Sequence, residues 1–418
     1  MRFCLFEDSL YANFLPLTYL RPIFDLRCGA TTLAEKIRLH CSPGQFSFIV
    51  RGYLEECLRE ESASSEINLF PETDTWFING RAIADEALAK ALRKHRTGEV
   101  ALWAENTILA ARVTGNNIHK IAGDWTDKQS LPPHFDQLPQ ESIDCSVVKY
   151  PWDLISANSE TISREFGLLA KGTRERIAGK IYPGAHLLNK KNILIGKGSV
   201  VKPGVIIDAE KGPVMIGEDV TIMPNVVIEG PVFVGRGSVL KIGAKIYHGT
   251  SIGEYCKVGG EVEASILQSY SNKQHEGFLG HSYLGSWVNL GADTNGSDLK
   301  NNYSTVKYPL NGSMVDTGQI FFGMVVGDHS KSGINSMFDT GSNIGIACNL
   351  FGSGLPPKFV PSFSWGGGSS FVVYELEKSI GTARRVMARR SVQMTAAYEK
   401  MYRRAFELSS GERSTPMK

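Results

Sequence analysis

The sequence predicts an α/β domain, then a left-handed parallel β-helix, then a helical tail. Three observations lead there. Short apolar runs alternate with helical patterns over the first 150 residues. An aliphatic residue recurs every sixth position from Ile195 onward. Glycine totals 43, and most of it follows Lys180.

In the first part, Phe46–Val50, Thr75–Ile78 and Val100–Trp103 read as buried strands, and Ala82–His95 reads as a helix. Strands alternating with helices predict a mostly parallel sheet. The run Pro151–Leu169 reads as an amphipathic helix, and residues 171–190 as a basic, irregular stretch. The expected organisation is 1–150 for the α/β domain, 151–190 for a helical connector, 191–370 for the β-helix and 371–418 for the tail.

The hexapeptide rhythm is the strongest signal. Ile195, Val201, Ile207, Ile216, Ile222, Ile228, Val234, Leu240, Ile246, Ile252 and Val258 keep one phase, broken only by three extra residues within Asp208–Pro213. A period of six fits neither a helix nor a simple strand alternation. It fits a solenoid in which each unit is a short strand plus a turn and buries its apolar side by stacking on the next. Beyond Val258 the rhythm loosens, with Tyr270–Gly277 and Thr294–Val306 read as interrupting loops. The tail Phe371–Leu408 reads as helical and carries Arg384, Arg385, Arg389, Arg390, Arg403 and Arg404. A solvated face capping the solenoid or a neighbouring subunit is weighed there against an anion site.

Bulk properties exclude several classes. The chain has 418 residues, too many for one core. A net charge of +2 gives no broad field for nucleic acid. No run has the length of a membrane span, and none has the form of a signal peptide. Seven scattered cysteines without a C-x-x-C pair fit reduced thiols in the cytoplasm.

The segment Glu261–Ala292 concentrates His275, His281, Glu261, Glu263, Asn272, Lys273 and Asn289 within about two coils. Acyl transfer from a thioester to an amine needs a base that titrates near neutrality, as His does. A backbone N–H at a glycine-rich turn can hold the oxyanion. Lys241, Lys245 and Lys273 are available for a substrate phosphate. Taken singly, a His such as His275 on a solenoid surface is more often structural than catalytic, and Asn289 reads as a corner residue.

This stretch resembles the acetyltransferase domain of the bifunctional N-acetylglucosamine-1-phosphate uridylyltransferase/glucosamine-1-phosphate acetyltransferase family. Gln274–Gly280 and Leu284–Asp293 follow that family's N-H-x-x-Y-L-G and (I/V)-G-x-x-V-N-I-G-A-G pattern. The resemblance puts His275 on the general base, Asn289 on the sugar-contacting Asn and Ala292 beside the thioester of acetyl-CoA. Lys241 falls on an Arg that binds the sugar phosphate, with Lys273 a further substrate cation. The family's Tyr is Phe278 here, and a family Lys after Glu263 has no match.

Phe6–Asp8, Leu15–Pro22, Asn272–Gly280, Ser297–Tyr303, Gly327–Asn335 and Phe363–Gly367 resemble a divergent bacterial branch of the same family. The resemblance makes the first domain a Rossmann-like sugar-1-phosphate nucleotidyltransferase. It would place Thr18, Arg21 and Arg27 at the nucleotide, and Asn158 with Asp25 on Mg²⁺. Its glycine-rich loop is replaced by Phe6–Leu10, its Pro-Lys pair by Pro22-Ile23, and its metal Asp by the Asn79-Gly80-Arg81 stretch. A buried ion-pair cluster is the competing reading of Arg21, Asp25 and Arg27. The implied function is bifunctional: acetylation of an amino-sugar 1-phosphate, then nucleotidyl transfer from UTP or another NTP, for nucleotide sugars of the cell wall. The alternative is an acyltransferase whose first domain only binds nucleotide sugar or packs. A cytoplasmic homotrimer is expected, with sites shared between prisms.

Overall fold

The computed structural model describes residues 1–41, 43–62, 65–124, 131–173, 175–368 and 370–414. A seven-stranded sheet organises the first domain. Its strands are β1 (Arg2–Phe6), β2 (Gln45–Ile49), β3 (Glu66–Ile67), β4 (Thr75–Asn79), β5 (Val100–Ala104), β6 (Thr107–Val113) and β7 (Gln140–Ser142), in the order β3-β2-β1-β4-β6-β5-β7. The first four pair in parallel. β6 runs antiparallel to both β4 and β5, so the sheet is mixed, because a tight turn at Glu105–Asn106 joins β5 to β6 directly. Helices α1 (Leu33–Cys41), α2 (Glu55–Glu61), α3 (Glu86–Lys94) and α4 (Gly115–Asp124) accompany it. α3 starts later than the pattern Ala82–His95 predicts, because Asp85 caps it by accepting from the Leu88 N–H at 3.1 Å.

Helix α5 (Pro151–Lys171) joins the two halves. Pro151 occupies its first turn, and the Asp153 carboxylate accepts from the N–H groups of Lys149 and Tyr150 at 2.7 and 3.0 Å. Trp152, Ile155, Asn158, Ile162 and Glu165 recur at helical spacing and are all buried.

The second half is a triangular solenoid of three sheets with eleven, eight and nine strands, all parallel except the last strand of the first, Ser370–Val373, which pairs antiparallel with Ser364–Gly367. The in-phase aliphatic residues fill the prism and are at most 3% exposed. This is the left-handed parallel β-helix that the six-residue period implies. Its first rungs lie earlier than the sequence suggests. Ile177 bridges Ile195, and Lys180–Ile181 and His186–Leu188 already pair with the next coil. Residues 180–188 are therefore solenoid, not connector. Asn272–Lys273 is also a rung, so Tyr270–Gly277 is not an excursion. The true insertion runs from Ser297 to Gly323 and carries an antiparallel hairpin, Lys307–Leu310 with Ser313–Asp316. It folds back on the first domain, where Trp152 meets Tyr308 and Phe322 edge-on, both at 5.8 Å.

The three corners between sheets have different occupants. One contains Lys241–Ala244, Gly259–Gly260, Gln274–Gly277 and Gly291–Thr294; it is called the first corner below. The second contains His281 and the insertion. The third contains Tyr255, Tyr270, Trp287 and His329. The tail is not one helix. After the strand Ser370–Val373 come α6 (Leu376–Ala388), α7 (Ala396–Leu408) and the short α8 (Ser410–Ser414). Its arginines are mostly paired within it: Arg384 with Glu399, Arg403 with Glu377 and Glu399, Arg404 with Glu407. Arg390 instead reaches the solenoid, donating to Tyr255 O at 3.2 Å and Asn272 Oδ1 at 2.6 Å.

The two halves are locked together by buried polar contacts. The Tyr283 hydroxyl accepts from the Arg27 N–H at 2.8 Å and donates to the Arg27 carbonyl at 3.0 Å. Arg21 pairs with Asp328, whose side chain is 1% exposed. Removing one partner of a buried pair leaves an uncompensated charge. Asp328→Ala is therefore expected to lower stability by about 3–5 kcal/mol in urea unfolding, and Arg21→Met with Asp328→Leu to recover most of that loss. A loss below about 1 kcal/mol for the single variant contradicts a load carried by this pair.

Candidate functional site

The first corner carries Lys241, His275 and Ala292 in the turns of three coils, with the Gly259–Gly260 turn between Lys241 and His275. His275 is exposed, and among the described residues its imidazole has no hydrogen-bond partner. Gly259 separates the coils so tightly that a Cβ there would lie 2.4 Å from Gln274 O and 3.1 Å from Lys241 Cβ. Ala292 O accepts from the Asn335 N–H at 2.8 Å. The flanking faces present the other two residues. Asn289 pairs in register with Asn272, whose amide donates to Asn289 Oδ1 at 3.5 Å. Phe278 lies across the corner on the next face, and its N–H donates to Asn295 Oδ1 at 2.8 Å.

Lys273 departs from expectation. It is 1% exposed, and its Nζ donates to Gly259 O at 3.1 Å and His275 O at 2.9 Å. The amine is spent on backbone carbonyls and cannot reach a substrate phosphate. It fixes the turn that carries His275, and burial pushes its pKa down to about 8. Gly260, at φ +67°, is required beside it: a Cβ would meet Lys273 Nζ at 2.6 Å.

The dense segment Glu261–Ala292 also divides. His281 lies at the second corner, where Nδ1 is 2.8 Å from Asp298 Oδ2 and the ring stacks on Phe321 at 5.2 Å. Cations that sequence reading missed lie on the face before the first corner. Lys257 is pushed below its ordinary pKa by burial and by Arg390, Lys241 and Arg389, so these four side chains form one positive patch beside His275's coil. Arg389 and Arg390 were legible only as part of a basic helix, because the contact depends on how the tail folds back.

In the first domain, the residues expected at a nucleotide are committed elsewhere. Thr18 is buried and donates to Tyr11 O at 3.0 Å. Arg21 holds Asp328. Arg27 is buried, donates to Ala30 O and lies 5.3 Å from the centre of the Phe233 ring. Asn158 is fully buried. Its Oδ1 accepts from the Gly29 N–H and from Ser251 Oγ at 3.0 Å, while its amide donates to Gly249 O at 2.7 Å. Both oxygen lone pairs are thus used, and Asn158 is a joint between domains, not a metal ligand. Asp25 is partly buried, with its carboxyl raised to about 8 by burial and then by Glu61. Among the described residues no group of three or more His, Cys, Asp or Glu could hold a metal ion. The residues present do not fit Mg²⁺.

Where the replaced loop Phe6–Leu10 lies, two buried ion pairs fill the space. Glu7 holds Arg51 at 3.0 Å, and Asp8 holds Arg81. Asn79 adds a bond to Asp8 at 2.9 Å. The expected ion-pair cluster exists, but Glu7, Asp8, Arg51 and Arg81 form it instead of Arg21, Asp25 and Arg27.

Burial of two lysines has a measurable consequence. Lys273 and Lys331 are both lowered to about 8 by desolvation. Below pH 8 each is charged in both states, and the folded state bears the desolvation cost. Between pH 8 and about 10.4 the folded protein has lost protons that the unfolded chain retains, so stability rises with pH. The rise expected from Lys273 is on the order of 1–3 kcal/mol, and Lys273→Met should remove that part from a pH series of urea unfolding. An unchanged pH slope in the variant contradicts the assignment.

Comparison with known proteins agrees with this architecture. Residues 3–174 match the family model described as sugar nucleotidyl transferase. Bifunctional protein GlmU of Rippkaea orientalis is 31% identical over 162 residues, 38% of this chain and 30% of its own length. Bifunctional protein GlmU of Prochlorococcus marinus strain MIT 9211 is 27% identical over 320 residues, 74% of this chain and 60% of its own length. The chain spans about a third of the length of the first curated relatives it matches. UDP-N-acetylglucosamine acyltransferase from Campylobacter jejuni aligns with 54% of the chain and 93% of its own at 14% identity, with a TM-score of 0.26, too slight a likeness to bear on function. Residues 3–174 thus match a sugar nucleotidyl transferase model, this part is joined to a parallel β-helix, and the chain is similar to bifunctional GlmU proteins over part of their length.

Proposed function

We propose that this chain is a bifunctional sugar transferase of nucleotide-sugar biosynthesis, whose first corner N-acetylates an amino-sugar 1-phosphate with acetyl-CoA. The observation that carries the acyl-transfer half is an exposed imidazole, His275, without a partner among the described residues, on the same corner of the prism as Lys241 and Ala292. In this reading the substrate amine attacks the thioester carbonyl, the C–N bond forms and the C–S bond breaks. His275 takes the proton from the attacking nitrogen and returns it to the departing CoA sulfur. A backbone N–H of the glycine-rich turn at Ala292 faces the developing oxyanion. Lys241 attracts the sugar phosphate, Asn289 takes a sugar hydroxyl, and Phe278 offers an apolar edge without the hydroxyl of a Tyr. The patch of Lys241, Lys257, Arg389 and Arg390 suits the phosphates of CoA. Lys273 acts through the backbone, as a positioning residue.

Nucleotidyl transfer from UTP or another NTP is the second activity in this reading, supported by the family match of residues 3–174. A second reading confines catalysis to the β-helix and leaves the first domain structural. It is favoured by the commitment of Thr18, Arg21, Arg27 and Asn158 to protein contacts. Pyrophosphate release from UTP with N-acetylglucosamine 1-phosphate and Mg²⁺ separates the two readings: turnover supports the first, and its absence alongside intact acyl transfer leaves the second.

A homotrimer in the cytoplasm fits both readings. Ile242 and Ile334 are 60% and 72% exposed beside the first corner. A neighbouring prism would cover them and supply the missing wall of an otherwise open site. The seven cysteines, all buried and free, suit a reducing compartment. A sedimentation mass of three chains is expected at micromolar concentration, and a monomer mass there refutes the shared site. Thiol release from acetyl-CoA with glucosamine 1-phosphate is expected to fall about 10²–10⁴-fold in His275→Ala, with unfolding unchanged. Release that survives in that variant removes His275 from the base role.

A further inference from the structure

The third corner borders a cleft set apart from the acyl-transfer corner and lined in part by Arg21, Asp25 and Arg27. Its volume is about 540 Å³, within the range of small-molecule sites. Three units meet around it: the segment Leu20–Arg27 with α1 and α2, the solenoid turns at Gln268–Tyr270 and Ser286–Trp287, and the tail around Met387–Met401. It lies on a different prism edge from His275.

Its solenoid wall includes Tyr270 and Trp287, the two middle members of a longer aromatic column. Tyr255, Tyr270, Trp287 and His329 stack in successive coils, with centroid separations of 5.3, 4.2 and 6.0 Å and interplanar angles of 10–15°. All four have positive φ, a conformation that bulky residues rarely adopt. Glycine would meet the turn at less cost, as it does one coil earlier at Gly237. Backbone strain of this kind persists where surrounding structure enforces it, and it clusters at binding sites.

Several polar groups at the wall have no protein partner among the described residues. The Trp287 indole N–H and the Asp25 carboxylate make no hydrogen bond or ion pair. Gln268 is 4% exposed, and its amide donates to Asp25 O at 2.9 Å while its carbonyl oxygen accepts nothing. Arg27 is 5% exposed, and its Nε is buried without a partner. Only Arg27 Nε among these is fully buried without a partner; the others are open to the cleft, where a ligand can pair with them.

Charge selects the ligand class. Arg21 lines the cleft and pairs with Asp328 behind it, and its charge also acts on Asp25 and Glu61. The remaining wall charges are Asp25, Glu35, Glu60 and Glu61 against Arg27 and Arg38. This excess of carboxylates repels a phosphate and favours a cation. Mutual crowding acts in the same direction: Asp25 is raised by burial and then by Glu61, and a bound ammonium would relieve both effects. Aromatic edges, a free amide oxygen, an indole N–H and a carboxylate without a partner are groups that recognise a hydroxylated ring carrying an amine.

We infer that this cleft is a second ligand site, separate from the acyl-transfer corner, for an unphosphorylated amino sugar whose ammonium is held by Asp25 and whose ring hydroxyls engage Gln268 and the Trp287 indole N–H. The full chain is titrated with D-glucosamine and D-glucose by calorimetry and tryptophan fluorescence. Glucosamine is expected to bind at least about tenfold more tightly than glucose and to change the fluorescence. Asp25→Asn weakens it at least about tenfold, Trp287→Phe removes the fluorescence change, and Lys241→Ala, on the other edge of the prism, binds as the wild type does. Equal affinity for the two sugars, undiminished binding in Asp25→Asn, or binding lost in Lys241→Ala but kept in Asp25→Asn overturns the inference. So does no binding up to about 10 mM glucosamine. Because the readout is binding without acetyl-CoA, failure here is distinct from failure of the thiol-release assay.

Discussion

Everything beyond the two cores depends on how the segment Leu15–Ala30 is buried between the first domain and the prism. Its backbone ends up far from water, so each polar group needs a partner from the other half. Tyr283 supplies both a donor and an acceptor to Arg27. Asn158 reads the Gly29 N–H on one side and Gly249 and Ser251 on the other. Glu165 accepts from the Ala30 N–H at 2.6 Å and pairs with Lys36 at 2.9 Å. A segment whose backbone is held at so many points is not one that moves to cradle phosphates. The same contacts fix where the tail lands, since Tyr19 donates to Glu412 and Ser362 donates to the same carboxylate at 2.8 Å.

That constraint explains why the ancestral-looking signatures and the chemistry separate. Side chains of the Leu15–Pro22 run and of α5 serve the seam. Asp153 caps α5, Asn158 bridges halves, and Arg21 answers Asp328 in the Gly327–Asn335 stretch. Two motifs distant in sequence thus describe a single joint. The first corner of the prism, by contrast, carries no interdomain load, and its imidazole stays exposed.

The sequence carries the prism with little loss, because the six-residue period is local and the inward aliphatic positions report burial directly. Strands Phe46–Val50, Thr75–Ile78 and Val100–Trp103 were readable for the same reason. What it could not carry is direction. Lys273 looks like a surface cation, but an odd position in its rung turns Nζ inward to Gly259 and His275 carbonyls. Val100–Ala104 and Thr107–Val113 give no sign that they pair antiparallel, since buried parallel and antiparallel strands share an apolar composition. His281 sits six residues after His275, and that spacing, one rung plus one turn, moves it to another corner. Asn272–Lys273 lacks an inward aliphatic residue, so the rung reads as a loop. Arg390 and the cleft depend on the tail folding back across the third corner, a contact between residues more than a hundred positions apart.

A triangular solenoid offers three edges at once, and here they have diverged in physical character. The second edge extrudes an insertion that packs Tyr308 and Phe322 on Trp152, tying the prism to α5. The third edge replaces small turn residues by a strained aromatic column under the first domain and the tail. The first edge keeps small turn residues, Gly259, Gly260 and Gly291, beside an exposed imidazole. Since a coil places the same three edges side by side every rung, a change in length at one edge does not disturb the register of the others. Separate tasks can therefore accumulate on one prism without compromising the apolar column that holds it together.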